Sequence, residues 1–277
     1  MVDDALRHRP NARTGFMRDV GCLNLCHLRA ISPQTINSPT INSLTRGRPV
    51  SDSDQNGPQR APRVLMVSYS YTGQSRAMLA AAADEFRARG WEVVDADIEF
   101  TDTRYADRFS RFPMRRVWPD MLSVLPAQSR RATGSIAVPD TVRDGRYDLV
   151  CIGSPTWWSK ASIPIRSFLT SDDARRVLAG TPFAVVVVCR DSWKGNLDEV
   201  RRLGQWQGGR YLGGIHVQYP GDQLRSMLSL TSYLGSGEYR ESYLGIRIPP
   251  TNVGSRDLAA SRDFAAGLIE QLAQERV

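Results

Sequence analysis

The residues best suited to chemistry in this chain are Ser70, Thr72 and Ser75, three hydroxyls set around Gly73 in the run Ser70-Tyr71-Thr72-Gly73-Gln74-Ser75. Each hydroxyl can donate and accept a hydrogen bond. They stand where a short apolar run, residues 64–67, gives way to Met78, Leu79, Ala82, Ala83 and Phe86 at helix spacing. A strand, a tight polar turn and a helix start bring free backbone N–H groups and the positive end of a helix dipole to one place, which suits a phosphate. The turn has no lysine, so it is not a GxxxxGK[ST] loop, and it is not the GxGxxG dinucleotide fingerprint. The plainer reading makes the same hydroxyls helix N-caps and nothing more.

Two later clusters also carry chemistry. One is Ser154-Pro155-Thr156-Trp157-Trp158, the other Cys189-Arg190-Asp191-Ser192-Trp193. Aromatic faces beside tight turns can stack on a flat ring while backbone groups reach its edge. A single tryptophan at a strand end is ordinary packing. Two adjacent ones, in register with a phosphate loop, favour a ligand. Trp157 is expected to face it and Trp158 to pack against the insertion at 101–140, because adjacent side chains of an extended chain point opposite ways. Arg190 is suited to a cofactor phosphate or a substrate carboxylate.

The elements that would position these clusters alternate. Strands are expected at residues 64–67, 91–98, 147–153, 183–189 and 211–217. Helices are expected at 73–89 (ended by Gly90), 163–169 and 197–203, with a last one capped by Ser255. The run at 183–189, FAVVVVC, is apolar throughout, as a strand covered on both faces would be. The expected fold is α/β, a doubly wound five-stranded parallel sheet with helices on both faces. Ligands of such sheets sit at the carboxyl ends of the strands, which is where all three clusters fall. Two stretches interrupt the alternation, an aromatic- and proline-rich insertion at 101–140 and another at 219–250. Each reads as a substrate lid or a structural flap.

The loop has the form [ST]-x-T-G-x-[ST], and here the chain resembles the flavodoxin family, whose phosphate loop is written that way. The resemblance implies a flavodoxin-like fold and FMN as cofactor. It makes Ser70, Tyr71, Thr72, Gly73, Gln74 and Ser75 the phosphate-binding residues. Ser154, Pro155, Thr156, Trp157 and Trp158 become the first ring-contacting loop, and Cys189, Arg190, Asp191 and Trp193 the second. The insertion, the GSPTWW loop and the YLGIRIPP segment at 243–250 resemble flavodoxin-fold proteins known as dialkylresorcinol condensing enzymes. A condensation would call for a nucleophilic cysteine or an enolate base. No histidine stands near the clusters in sequence, and redox work suits these residues better. The expected function is an FMN-dependent oxidoreductase acting on a small aromatic or quinone-like substrate, with NAD(P)H as electron donor. The alternatives are a flavodoxin-type electron carrier and a binding module without redox activity. No catalytic side chain is assigned and no metal site is expected.

Composition sets the remaining bounds. The chain has 277 residues and a net charge of 36 − 29 = +7, nearly all its cations being arginine; Lys160 and Lys194 are its two lysines. The arginines are scattered, so neither nucleic acid nor membrane is expected as a partner. Self-association is left open. A basic chain with two insertions is unlike a short acidic electron carrier. No apolar run reaches 18 residues, and the reduced-looking Cys151 and Cys189 agree with a cytoplasmic protein. Residues 1–62 carry a direct repeat, TINSP then TINSL, and a Cys22-x3-Cys26-His27 cluster that lacks haem-attachment spacing. Poor periodicity and frequent Ser, Asn, Pro and Arg mark them as a disordered extension to a domain at 63–277. Removing residues 1–60 is expected to leave the melting temperature and ligand binding of the remainder unchanged. A large drop in melting temperature would show that the extension packs on the domain.

Overall fold

The structure is a computed structural model that describes residues 60–109 and 111–275. The repeat and the Cys22–His27 cluster lie outside those residues. Five parallel strands form the central sheet: β1 (Arg63–Ser68), β2 (Glu92–Asp97), β3 (Leu149–Trp157), β4 (Pro182–Cys189) and β5 (Arg210–Gln218). Their order is β2-β1-β3-β4-β5. This is the flavodoxin-like doubly wound order, with its winding reversal between β1 and β3.

Alternation along each strand builds two cores. Val64 and Met66 of β1, with Leu149 and Cys151 of β3, meet helices α1 (Gln74–Ala88) and α7 (Ser255–Gln274) on one face. Leu65, Val67, Val150 and Ile152 point the other way. There they meet α4 (Ile163–Leu169) and α5 (Trp193–Trp206). Helix α1 ends as expected at Gly90, whose φ of 79° is left-handed. The Trp91 amide bonds the Phe86 carbonyl and the Gly90 amide bonds that of Arg87, which closes the last turn. Helix α7 begins at Ser255, but its cap is Gly254, whose amide donates to the Asp257 carboxylate at 2.8 Å.

Two expected boundaries shift for physical reasons. Strand β3 continues past Gly153 to Trp157, because Ser154 and Pro155 stay in register with Val187 and Val188 of β4. Strand β1 has already ended opposite Gly153, so Pro155 lies where only one neighbour remains to be paired. Helix α5 starts at Trp193 rather than 197, directly after a left-handed Ser192. Both insertions contain structure. The first carries α2 (Val117–Ser123), α3 (Leu125–Ser129) and a two-residue pairing of Glu99–Phe100 with Ile136–Ala137. The second carries α6 (Gln223–Ser236) and a small hairpin, Ser242–Tyr243 with Ile246–Arg247. Helix α6 has ordinary end signals: the Asp222 carboxylate accepts the Arg225 amide at 2.8 Å, and Gly237 closes it with φ 75°.

The two ends of the first insertion are tied to each other by Asp102. Its carboxylate accepts from the Arg104 guanidinium at 2.9 and 2.7 Å and from the amides of Arg104 and Ser135 at 3.0 and 3.1 Å. The Arg104 hydrogen bonds are foremost in holding this carboxyl down at about 2, against an ordinary 3.8. A carboxylate depressed in the folded state stabilises fully above its unfolded pKa, and loses that contribution as pH falls through the folded value. Stability should therefore fall between about pH 4 and pH 2 in part through Asp102, and Asp102→Asn should flatten that limb. Urea midpoints measured across this range check it. An acid limb identical in the variant would place the effect elsewhere.

Candidate functional site

The carboxyl ends of β1, β3 and β4 surround a cavity of about 230 Å³, and both insertions roof it. From the β1 end, Tyr71, Thr72, Gln74 and Ser75 line it. Gly73 is left-handed at φ 78° and precedes α1 with no side-chain cap. The amides of Thr72, Gln74 and Ser75 make no hydrogen bond among the described residues. The Ser75 hydroxyl is buried and likewise has no partner. Such a group costs stability unless something is brought to it. Ser70 takes the plainer role: its hydroxyl accepts the Arg76 amide at 3.3 Å, and it does not line the cavity. Nor does Gly73. Arg76 is paired with Asp97 at 2.9 Å. The loop thus presents neutral donors only.

The second wall is the end of β3 and its turn. Residues 154–158 were expected to be a loop; they are strand through Trp157, followed by a tight hairpin to Lys160–Ala161. Trp158 and Ser159 hold φ of 50° and 63°, as a two-residue hairpin of the primed type requires. Neither residue is one that prefers this region. The turn is held by its surroundings. Gln128 of α3 donates to the carbonyls of Trp157 (2.7 Å) and Ala161 (3.0 Å). Arg166 of α4 donates to Gln128 Oε1 (2.9 Å), the Ala161 carbonyl (2.8 Å) and Glu199 of α5 (3.0 Å). Glu199 in turn accepts the Ala161 amide at 3.1 Å. Arg166, Glu199 and Gln128 are all buried. Gly195 lets α5 approach the turn, since a Cβ there would strike the Ser159 carbonyl oxygen.

Ser154 is not a cavity residue. It is fully buried, and its hydroxyl donates to Asn196 Oδ1 at 2.7 Å. Asn196 also donates to the Ser154 carbonyl and, at 2.9 Å, to Thr156 Oγ1. The two tryptophans divide differently from expectation. Both line the cavity and both touch the first insertion. Trp157 packs on Phe109 with ring centroids 4.7 Å apart, and edge-on to Tyr69 and Phe100. Trp158 donates its indole N–H to the Met121 carbonyl at 3.2 Å.

The third wall follows β4. Cys189, Arg190 and Asp191 line the cavity. The Cys189 thiol donates to the Val217 carbonyl, and burial pushes its pKa up to about 12, with the Asp191 charge adding to it. Arg190 is committed to α6, donating to Gln223 Oε1 and to Ser226 Oγ at 3.0 Å. Asp191 accepts from Gln223 at 2.7 Å and Gln218 at 3.2 Å. Trp193 is outside the cavity, stacked on His216 of β5 at 3.7 Å, because the helix begins with it.

The roof was not resolved residue by residue from the sequence. Phe109, Met114, Met121 and Val124 come from the first insertion, and Met227, Leu230 and Leu234 from α6. The latter three recur at i, i+3 and i+7, a helix signal that was there to be read. The loop after β1 is tied to the first insertion and to the segment before α7. Tyr71 donates to the Arg111 carbonyl at 2.6 Å, and Gln74 accepts the Val253 amide at 3.1 Å. Burial, followed by the nearby Asp120 charge, pushes the Tyr71 phenol up to about 12, so it stays a donor.

No family model and no curated protein matches the chain. Solved structures do. A flavodoxin from the domain Archaea is 11% identical over 76% of this chain and 99% of its own, with a TM-score of 0.43. A flavodoxin of Streptococcus pneumoniae TIGR4 is 14% identical over 77% of this chain and 99% of its own, with a TM-score of 0.41. Rubredoxin oxygen:oxidoreductase from Desulfovibrio gigas is 10% identical over 78% of this chain and 38% of its own, with a TM-score of 0.43. The flavodoxin-like class of this fold rests on the strand order itself.

Removing one partner of the buried pair tests how the Trp157–Trp158 wall is held. Glu199→Ala leaves the Arg166 guanidinium buried with its countercharge gone, and should cost about 3–5 kcal/mol in urea unfolding. A loss below about 1 kcal/mol would mean that the wall is held by packing alone.

Proposed function

We propose that the cavity binds FMN and that the protein is an FMN-dependent oxidoreductase. The observation that carries this reading is the Ser75 hydroxyl, buried without a partner beside uncapped amides of α1. A terminal phosphate would satisfy all of these donors at once. Thr72 would add a second hydroxyl. The walls at Pro155–Trp158 and Cys189–Asp191 would flank the ring. When bound, the flavin supplies hydride or electron transfer.

The chain's own residues suit an enclosed reaction. The roof is largely apolar and covers the strand ends. Arg190 and Asp191 keep their charges, but these are of opposite sign and both are tied to α6 through Gln223, so the third wall carries no net charge. This favours a small neutral planar substrate, aromatic or quinone-like, with a nicotinamide as external donor. A pure electron carrier would leave its ring edge open to partners, and two roof elements argue against that. Cys189, held as a neutral thiol, is a poor nucleophile, which argues against a covalent condensation.

Ser75→Ala separates a ligand role from a structural one. Losing a buried donor to a charged group should weaken FMN by about tenfold to a hundredfold, from roughly 1.5–3 kcal/mol. Because the hydroxyl has no partner among the described residues, the same change should leave the melting temperature without FMN equal or higher. Titration and melting check both. Equal FMN affinity with a lower melting temperature would refute the assignment. Oxidation of NADH or NADPH with a quinone then tests the activity.

A further inference from the structure

We infer that the roof of the cavity docks on a lipid bilayer bearing anionic headgroups. Seven large apolar side chains are exposed among the described residues, and six of them lie on the two roof elements. Trp118 and Leu122 sit one turn apart on α2. Leu224 opens α6, and Tyr239, Leu244 and Ile246 follow on the hairpin segment after it. The elements are neighbours: α2 packs on α6, and α6 on the hairpin. Only Trp206, at the end of α5, stands apart.

Charge complements this apolar set. Segments 111–125 and 222–247 hold six arginines, all exposed: Arg111, Arg115, Arg116, Arg225, Arg240 and Arg247. Against them stand Asp120, which is buried, and Asp222, Glu238 and Glu241. Arg115, Arg240 and Arg247 form no ion pair among the described residues. Apolar side chains that protrude between guanidinium groups are suited to an anionic membrane surface, where the charges meet headgroups and the apolar tips enter the acyl boundary. Leu244 is the clearest tip. It is 77% exposed and left-handed at φ 52°, next to Gly245 in the hairpin turn. A leucine gains nothing there from the fold, since a left-handed turn favours Asn, Asp or Gly. Aliphatic tips outnumber aromatic ones in this set, Leu122, Leu224, Leu244 and Ile246 against Trp118 and Tyr239, and a bilayer accepts scattered aliphatic tips. No helix among the described residues is long and apolar enough to cross a membrane, and surface docking requires none.

The test is flotation of the full chain with vesicles of phosphatidylcholine alone and of phosphatidylcholine containing phosphatidylglycerol. Binding to the anionic vesicles, weakened by salt and absent from neutral ones, is expected. Leu244→Asp and Trp118→Asp should each weaken it about tenfold or more, as losing a buried apolar side chain implies. Leu244→Asp suits the left-handed backbone, so unfolding will not mimic the loss. Trp206→Asp should change nothing. No binding to anionic vesicles overturns the proposal, and is the result if the roof instead docks an acidic protein. Binding that persists unchanged in both roof variants also overturns it, by placing the contact elsewhere in the chain. None of these outcomes depends on whether FMN is bound.

Discussion

The buried pair of Arg166 and Glu199, completed by Gln128, is the constraint on which the site depends. Two charges removed from water are costly unless every lone pair and proton is matched. Here the matching partners are backbone groups of the β3 hairpin, together with a side chain from the first insertion. The pair therefore joins four pieces of chain: α3, α4, α5 and the turn that carries Trp157 and Trp158. Apolar contact could bring these pieces together but would not set their register. Directional bonds to the carbonyls of Trp157 and Ala161 do, and they keep two non-glycine residues in a left-handed turn.

A second set of bonds links roof to floor. Tyr71 reaches the first insertion and Gln74 reaches the segment before α7, both from the same six-residue loop. The roof elements also bond each other, as the Met114 amide does to the Leu234 carbonyl at 2.7 Å. The donor-rich loop and the apolar chamber are thus one assembly. Ligand contacts at the loop would be felt by both covers. The fold alone would leave the strand ends as an open cleft; the two insertions cover it.

Much of this was legible in the residues. Period-two and helix-period patterns located the five strands and α1, and Gly90 was recognisable as a helix stop because only a left-handed residue could close it. The cavity walls at Tyr71–Ser75, Pro155–Trp158 and Cys189–Asp191 were marked by hydroxyls and aromatics at strand ends. Ser70, Ser154 and Trp193 do not line the cavity, for one reason. Residue type and position along the chain do not say which way a side chain turns, and these three turn instead to a helix amide, to Asn196 and to His216.

The alternation of apolar runs by itself determined the layered α/β sheet, since burying those runs on both faces leaves few other arrangements. It also determined which end of the sheet carries the polar loops, because these follow the strands' carboxyl ends. Tertiary structure alone decided what surrounds that place. Asn196, Glu199, Arg166 and Gln128 are ordinary helix residues in sequence, separated by up to 71 positions from Gln128 to Glu199. Their meeting depends on how helices pack, which local pattern does not encode. The same holds for the roof, where α2 and α6 become neighbours only once the sheet between their attachment points has formed.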